Sequence, residues 1–317
     1  MVIMGIAKSA AIVAALLALL FSLARPVNAQ GGQRPMLPEN VKKLSDIEYA
    51  RVDGHSLRLD LYLLENPKGK LPVVVWVHGG GWGKGSKDNT PALFLTRHGY
   101  AVASISYRLS GVANFPAQIQ DCKAATRWLR ANADKHGLDA DHIGAWGASA
   151  GGHLVAMLGT TGESKDFDNA HGNREFTSRV QAVVDFFGPT DFLQMDKHAP
   201  ADSRITHDAP DSPESLLIGA PIQENREKVQ KANPITYIHK NAPPFLIVHG
   251  DKDNLVPVHQ SKLLHEALNQ AGVPNTLWII EGAGHGFGVE HRDELESRIR
   301  KFFDQHLKQT RQQEMVQ

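Results

Sequence analysis

Cysteine is all but missing: the 317 residues hold one, Cys122. A single thiol cannot close an internal disulfide, so small stapled scaffolds are excluded and stability has to come from packing. Net charge is missing too, with 34 Lys and Arg against 34 Asp and Glu. Without a basic excess or a long cationic run there is no field to gather phosphates, which argues against a nucleic-acid partner. No solenoid-length repeat appears and no Pro- or Ser-rich linker divides the chain, so one domain is expected. What is present is 42% hydrophobic residues over a length that can bury a large core.

One long apolar run exists, Ser9 to Ala24, preceded by Lys8 and followed by Arg25, Pro26 and the small-residue ending Val27-Asn28-Ala29. It is short for a bilayer, which takes about 20 residues, and its ending fits a cleavage site. Residues 1–29 are therefore expected to be a secretory signal cut after Ala29, leaving no stable membrane anchor and a secreted or periplasmic product. Removing 29 of 317 residues leaves 288, with 32 basic and 34 acidic side chains. Residues 30–40, rich in Gly, Pro and Gln, read as a flexible lead-in, 41–308 as the folded domain and 309–317 as a polar tail.

Within the domain, Leu57, Leu59, Leu61 and Leu63 alternate with Arg58, Asp60 and Tyr62, the period of a strand with one covered face, and Asp53-Gly54 supplies a hairpin turn before it. The pattern then changes to short apolar runs: Val73 to Val77, Ala101 to Ile105, Ile143 to Trp146, Val180 to Phe187, Phe245 to Val248 and Leu277 to Ile280. These read as strands buried on both faces. Helical spacing fills Ile119 to Ala133, Ser149 to Leu158, Val258 to Ala271 and Glu290 to Leu307. The alternation predicts an α/β fold: a mostly parallel central sheet with an antiparallel N-terminal hairpin, helices on both faces, and ligand chemistry at the carboxyl ends of the strands. Cys122 falls on the apolar stripe of the first helix and reads as core. Residues 190–241, with a weak helical stretch from Pro213 to Ala232, form an insertion; it reads either as a lid or as a helix packed on the sheet edge below a loose loop.

The chemistry concentrates at strand ends. Gly147-Ala148-Ser149-Ala150-Gly151 follows one apolar run and opens a helix, a tight turn that lifts a serine hydroxyl out of the sheet. His78-Gly79-Gly80-Gly81-Trp82 follows another, leaving the Gly80 and Gly81 N–H groups, with that of Ala150, free to hold a developing oxyanion. His78 itself reads as a loop anchor. A phosphate-cradling loop is the competing reading, but the GxxxxGK[ST] spacing is absent. Base and acid should follow the serine in chain order. His285, flanked by glycines after the last strand, is the candidate base, and Asp253 the candidate acid. Asp251 is read as a brace for the turn, with Asp185 and Asp191 as more distant alternatives. Trp82 and Phe287 are candidate substrate-pocket residues. Asp168, His171, His198, His207 and Asp208 lack ligand spacing, so neither a metal nor an organic cofactor is expected.

These segments, with Asn233-Pro234-Ile235-Thr236-Tyr237 and His249-Gly250-Asp251-Lys252-Asp253, resemble the α/β-hydrolase superfamily. Within it the chain is similar to secreted carboxylesterases of the bifunctional acetylxylan and feruloyl esterase-like type, related to hormone-sensitive-lipase-like esterases. The resemblance spans roughly Leu44 to Leu307. It implies a Ser149–Asp253–His285 triad, an oxyanion hole at Gly80, Gly81 and Ala150, and small or polysaccharide-linked esters as substrates. Many relatives carry an acidic residue or His where Ala148 stands, a position outside both sets. Amide cleavage, as in formamidases and prolyl-oligopeptidase-type peptidases, is a second reading. A non-catalytic hydrolase-like binder is a third, though this chain keeps both nucleophile and base.

Overall fold

The computed structural model describes residues 37–308 except 165, 169 and 170. The expected signal at 1–29, most of the lead-in and the tail at 309–317 lie outside the described residues.

Among the described residues, eight strands form one sheet: β1 (Val41–Val52), β2 (His55–Leu64), β3 (Leu71–Val77), β4 (Ala101–Ile105), β5 (Leu138–Ala148), β6 (Ala182–Phe186), β7 (Phe245–Gly250) and β8 (Asn275–Ile280), in the order β1-β2-β4-β3-β5-β6-β7-β8. Asp53 and Gly54 both take positive φ, 48° and 79°, the geometry a two-residue hairpin needs, and Val52 pairs with His55 across it. β1 and β2, and β2 and β4, run antiparallel; every later pairing is parallel. This is the mostly parallel sheet with an N-terminal antiparallel pair that the alternation predicts.

Two differences from the sequence reading have physical causes. The alternation in β2 predicts one covered face, yet Asp60 and Tyr62 are buried as well as the four leucines. The Asp60 carboxylate is held by Lys43 at 2.7 Å and Lys87 at 2.9 Å, which makes its burial tolerable. At the opposite end, the apolar run of β8 predicts burial on both faces, but β8 is the edge strand and only Ile280 is fully covered.

Helices α1 (Ala117–Ala131), α2 (Ala150–Thr160), α5 (His259–Gln270) and α6 (Arg292–Leu307) match the four helical patterns to within a few residues. The β3–β4 connection is a 3-10 stretch, Pro91–His98, begun by the Thr90 cap and ended by Gly99 at φ 76°. The insertion contains α3 (Pro213–Ile218) and α4 (Arg226–Ala232), where the sequence suggests one weak helix. Gly219, at φ 69°, caps α3 and Pro221 follows, so the helix cannot continue. Core side chains form two clusters, one containing Val73, Val75 and Cys122, the other Trp76, Val102 and Phe303. Successive residues of β3 thus divide between them, as strand geometry requires of a sheet covered on both faces. Cys122 is fully buried, and that burial pushes its thiol pKa well up.

β3 sits between β4 and β5, so the chain leaves it in one direction and returns on the other side. Such a reversal opens a crevice at the carboxyl ends of the flanking strands. β3 ends at Val77 and β5 at Ala148, directly before the two glycine-rich motifs.

Candidate active site

Ser149 stands in the crevice at φ 56° and ψ −123°, a conformation that costs energy for any residue with a Cβ. The turn is held open by close approach on both sides. A Cβ on Gly147 would lie 2.2 Å from the Gly151 carbonyl oxygen, and one on Gly151 would lie 2.1 Å from that of Val77, so neither position admits a side chain. The Ser149 N–H donates to Phe186 O at 2.8 Å, fixing the turn to the end of β6. Ala150 begins α2, where the first N–H groups have no intrahelical partner.

Opposite lies the loop after β3. Gly80 and Gly81 take φ 111° and 57°, and neither N–H is taken up by another described residue. The Gly80 carbonyl accepts instead from the N–H groups of Gly83 at 3.2 Å and Lys84 at 3.1 Å, closing the loop into a turn. His78 packs flat on Tyr107, with ring centroids 4.4 Å apart, while Tyr107 Oη donates to His78 O at 3.1 Å. It anchors the loop and does not line the Ser149 cavity.

The histidine and acid meet as chain order suggests. His285 Nδ1 lies 2.7 Å from Asp253 Oδ2, and Asp253 Oδ1 accepts the N–H groups of Leu255 at 2.8 Å and Val256 at 2.9 Å. Burial would raise the Asp253 pKa, but the His249 and His285 imidazoles outweigh it and hold the carboxyl well below the usual range. Asp251 Oδ1 accepts the Gly282 N–H at 2.6 Å, bracing the β7 loop against the β8 loop. Asp191 is occupied with Gln194 and Asn233, and Asp185 with the Gly188 N–H. Neither contacts His285.

Ser149, Ala150, Gly80, Gly81 and His285 line one cavity of about 580 Å³. Trp82 also borders the cavity, yet it is only 1% exposed and its Nε1–H donates to His153 Nδ1 at 3.2 Å. His153 Nε2 in turn meets Ala232 O at 2.7 Å, so Trp82 ties the glycine loop to α2 and to the end of α4. Burial lowers the His153 pKa to about 4, which keeps that ring neutral as an acceptor. Phe287, expected in the substrate pocket, does not line this cavity. It packs on Phe186 and Phe187 and borders a separate apolar space of about 390 Å³ under α6. The cause is the backbone at Gly286, which at φ 110° turns the chain away after His285.

The BD-FAE family model matches residues 59–268, which span both glycine motifs and Asp253. The chain belongs to the BD-FAE family. Its sheet is that of the α/β-hydrolase fold. A truncated carbohydrate esterase from gut microbiota superposes with a TM-score of 0.73 at 33% identity, covering 84% of this chain and 96% of that one. Esterase B from Lactobacillus rhamnosis, inhibited in its crystal, gives a TM-score of 0.72 at 25% identity, with 96% and 99% covered. Esterase LipC from Mycobacterium tuberculosis is 35% identical over 70% of this chain and 55% of its own length, and the probable carboxylic ester hydrolase LipM from the same organism is 32% identical over 71% and 51%. The chain thus spans about half the length of these curated relatives.

Three polar residues of this BD-FAE chain take on a role that their place in the sequence does not disclose. His249 is fully buried; its Nδ1 meets Ser261 Oγ at 2.7 Å, and its Nε2 lies 3.0 Å from Val256 O and 3.2 Å from Asp253 Oδ2. The Asp253 carboxylate is therefore flanked by two imidazoles. His207 and Glu214 are buried at the cavity wall. The acidic and histidine residues without ligand spacing, His207 among them, are dispersed in the structure: Asp168 pairs with Lys123 and Arg127, His171 with Asp121, and His198 stacks on His259.

Asp185, beneath the serine turn, carries a testable consequence. Burial raises its pKa to about 7, against the opposing Gly188 N–H bond. A raised folded-state pKa stabilises below the unfolded value of about 4, and that stability is lost as pH rises through the folded one. Asp185→Asn keeps an acceptor for Gly188. Its stability relative to wild type should improve by about 1 to 4 kcal/mol between pH 5 and pH 8, read from urea unfolding at each pH. A difference that does not change with pH would contradict this.

Proposed function

We propose that the protein is a serine carboxylic ester hydrolase working through an acyl-enzyme on Ser149. The observation that carries this reading is that Ser149 and His285 open onto one cavity with Asp253 2.7 Å behind the ring. In the forward step His285 takes the Ser149 proton through its remaining nitrogen, Nε2, as Oγ attacks the ester carbonyl. The N–H groups of Gly80, Gly81 and Ala150 receive the oxyanion. Protonated His285 then returns its proton to the departing alcohol, and water repeats the sequence on the acyl-enzyme. Asp253, held ionised by its two imidazole neighbours, keeps the His285 proton on Nδ1 and steadies the imidazolium.

The substrates we propose are short acyl esters of carbohydrates, acetyl or feruloyl. Support comes from the similarity to a carbohydrate esterase and from the signal-like N-terminus, which would bring the protein to polymers outside the cytoplasm. Acetylated xylan, methyl ferulate and p-nitrophenyl esters of increasing chain length separate these options. A fluorophosphonate probe tests the nucleophile: an adduct mapped to Ser149 is expected, and an unlabelled protein would remove the basis of the reading. Amino-terminal sequencing of exported protein tests cleavage after Ala29.

A further inference from the structure

The wall of the Ser149 cavity formed by the insertion holds a buried ionisable pair that the hydrolytic machinery does not use. His207 Nδ1 lies 3.1 Å from Glu214 Oε1, and the two residues are 1% and 2% exposed. Both border the cavity together with Ser149 and His285. The two are close but poorly aligned: although Glu214 and the Leu255 backbone lie beside the ring, among the described residues neither ring nitrogen of His207, nor Oε2 of Glu214, makes a well-aligned hydrogen bond. Removing such groups from water without partners is costly, and an ion pair adds nothing to a core that apolar residues would not supply better.

Both groups are built into position. The Asp196 carboxylate accepts the backbone N–H groups of His207 and Asp208, each at 2.8 Å, which fixes the turn carrying the imidazole. Glu214 lies in the first turn of α3, whose start is capped by Ser212 Oγ accepting the Ser215 N–H at 3.1 Å. Pro213, next to Glu214, would touch a Cβ on Gly81 at 3.3 Å, so the pair's helix abuts the oxyanion loop.

We propose that His207 and Glu214 form a hydroxyl-recognition site that reads the alcohol part of the ester, selecting polyol and sugar alcohols over apolar ones. A hydroxyl group both donates and accepts: its proton can go to Glu214 Oε2 and its oxygen can receive an imidazole N–H, which answers both unmet groups. An alkyl or aryl alcohol answers neither, and a site built to bond a hydroxyl rejects an analogue lacking it far more strongly than an apolar pocket rejects a misfit. Burial would lower the His207 pKa, but the Glu214 carboxylate, Asp196 and the Leu255 backbone outweigh it and raise it, which favours the ring as a donor.

The inference rests on the ester-hydrolase reading, and its test separates the two. Wild-type kcat/KM is measured on cyclohexyl acetate and on trans-1,2-cyclohexanediol monoacetate, which differ by one hydroxyl, and on p-nitrophenyl acetate. The diol monoester is expected to be preferred by about 10-fold or more. In Glu214→Gln and His207→Phe that preference should collapse through a raised KM for the diol ester, while turnover of p-nitrophenyl acetate stays within about twofold. Equal rates on the two cyclohexyl esters in wild type overturn the site even if neither variant folds. An equal loss on all three esters in the variants also overturns it, because that marks a structural role. Absence of turnover on every ester, p-nitrophenyl acetate included, defeats the hydrolase reading and this inference with it.

Discussion

Ser149→Ala is expected to lower kcat on p-nitrophenyl acetate by about 10⁵- to 10⁶-fold, with KM little changed and no fluorophosphonate adduct. The size follows from what the substitution removes and what it leaves. It deletes the proposed attacking oxygen, so on this mechanism His285 and Asp253 lose their object. The Gly80, Gly81 and Ala150 N–H groups persist and can still favour a water-borne oxyanion, which sets a low residual rate. Folding should be preserved, because alanine meets the same backbone penalty as serine at φ 56°, and the Ser149 N–H bond to Phe186 belongs to the main chain. A variant that retained more than about a tenth of wild-type turnover would show that another group carries the reaction.

Asp253→Asn should cost on the order of 10⁴ in kcat, again with little change in KM. The acid accepts everything around it: two main-chain N–H groups at Oδ1, and the His285 and His249 imidazoles at Oδ2. An amide has one acceptor oxygen. If that oxygen keeps the two main-chain donors, the amide NH₂ faces His285 and forces its Nδ1 to become the acceptor. The ring proton then sits on Nε2, the nitrogen that has to take the serine proton, and the base is disabled with its position intact. The substitution also removes a pH dependence. With its folded-state pKa depressed, Asp253 contributes stability that is complete above about pH 4 and lost as pH falls toward the folded value. Acid unfolding of the amide variant should therefore be shallower than that of wild type. Wild-type kcat in Asp253→Asn would mean that His285 does not need its orienting acid.

The fold was largely legible in the sequence because its central strands are covered on both faces. Val73 to Val77 are buried without exception, and such runs stand out from amphipathic helices by length and by β-branched content. The serine turn was legible for a different reason, since the main-chain contacts at Gly147 and Gly151 leave no alternative residue. The 3-10 connection Pro91–His98 was not, because eight residues are too few to establish a helical period. Position after a strand also says nothing about which way the next side chain turns, and Phe287, two residues past His285, faces the far side of the sheet. Glu214 left no trace in the sequence, and His207 stood out only within a group that lacks ligand spacing: their meaning arises only when a turn and a helix start converge on the serine, and each alone resembles an ordinary surface residue.

The cavity is assembled from two unlike sources. The proposed nucleophile, base, acid and anion-binding amides all hang from strand ends, whereas the facing wall, from Ile205 to Leu216, is an excursion that contributes no strand to the sheet. That division of labour separates the evolvability of substrate choice from that of rate. Transplanting the 205–216 stretch from another member of the family would change which alcohols are admitted while the reaction centre keeps its geometry, so diversification can proceed by exchanging one wall of the room and leaving the hearth in place.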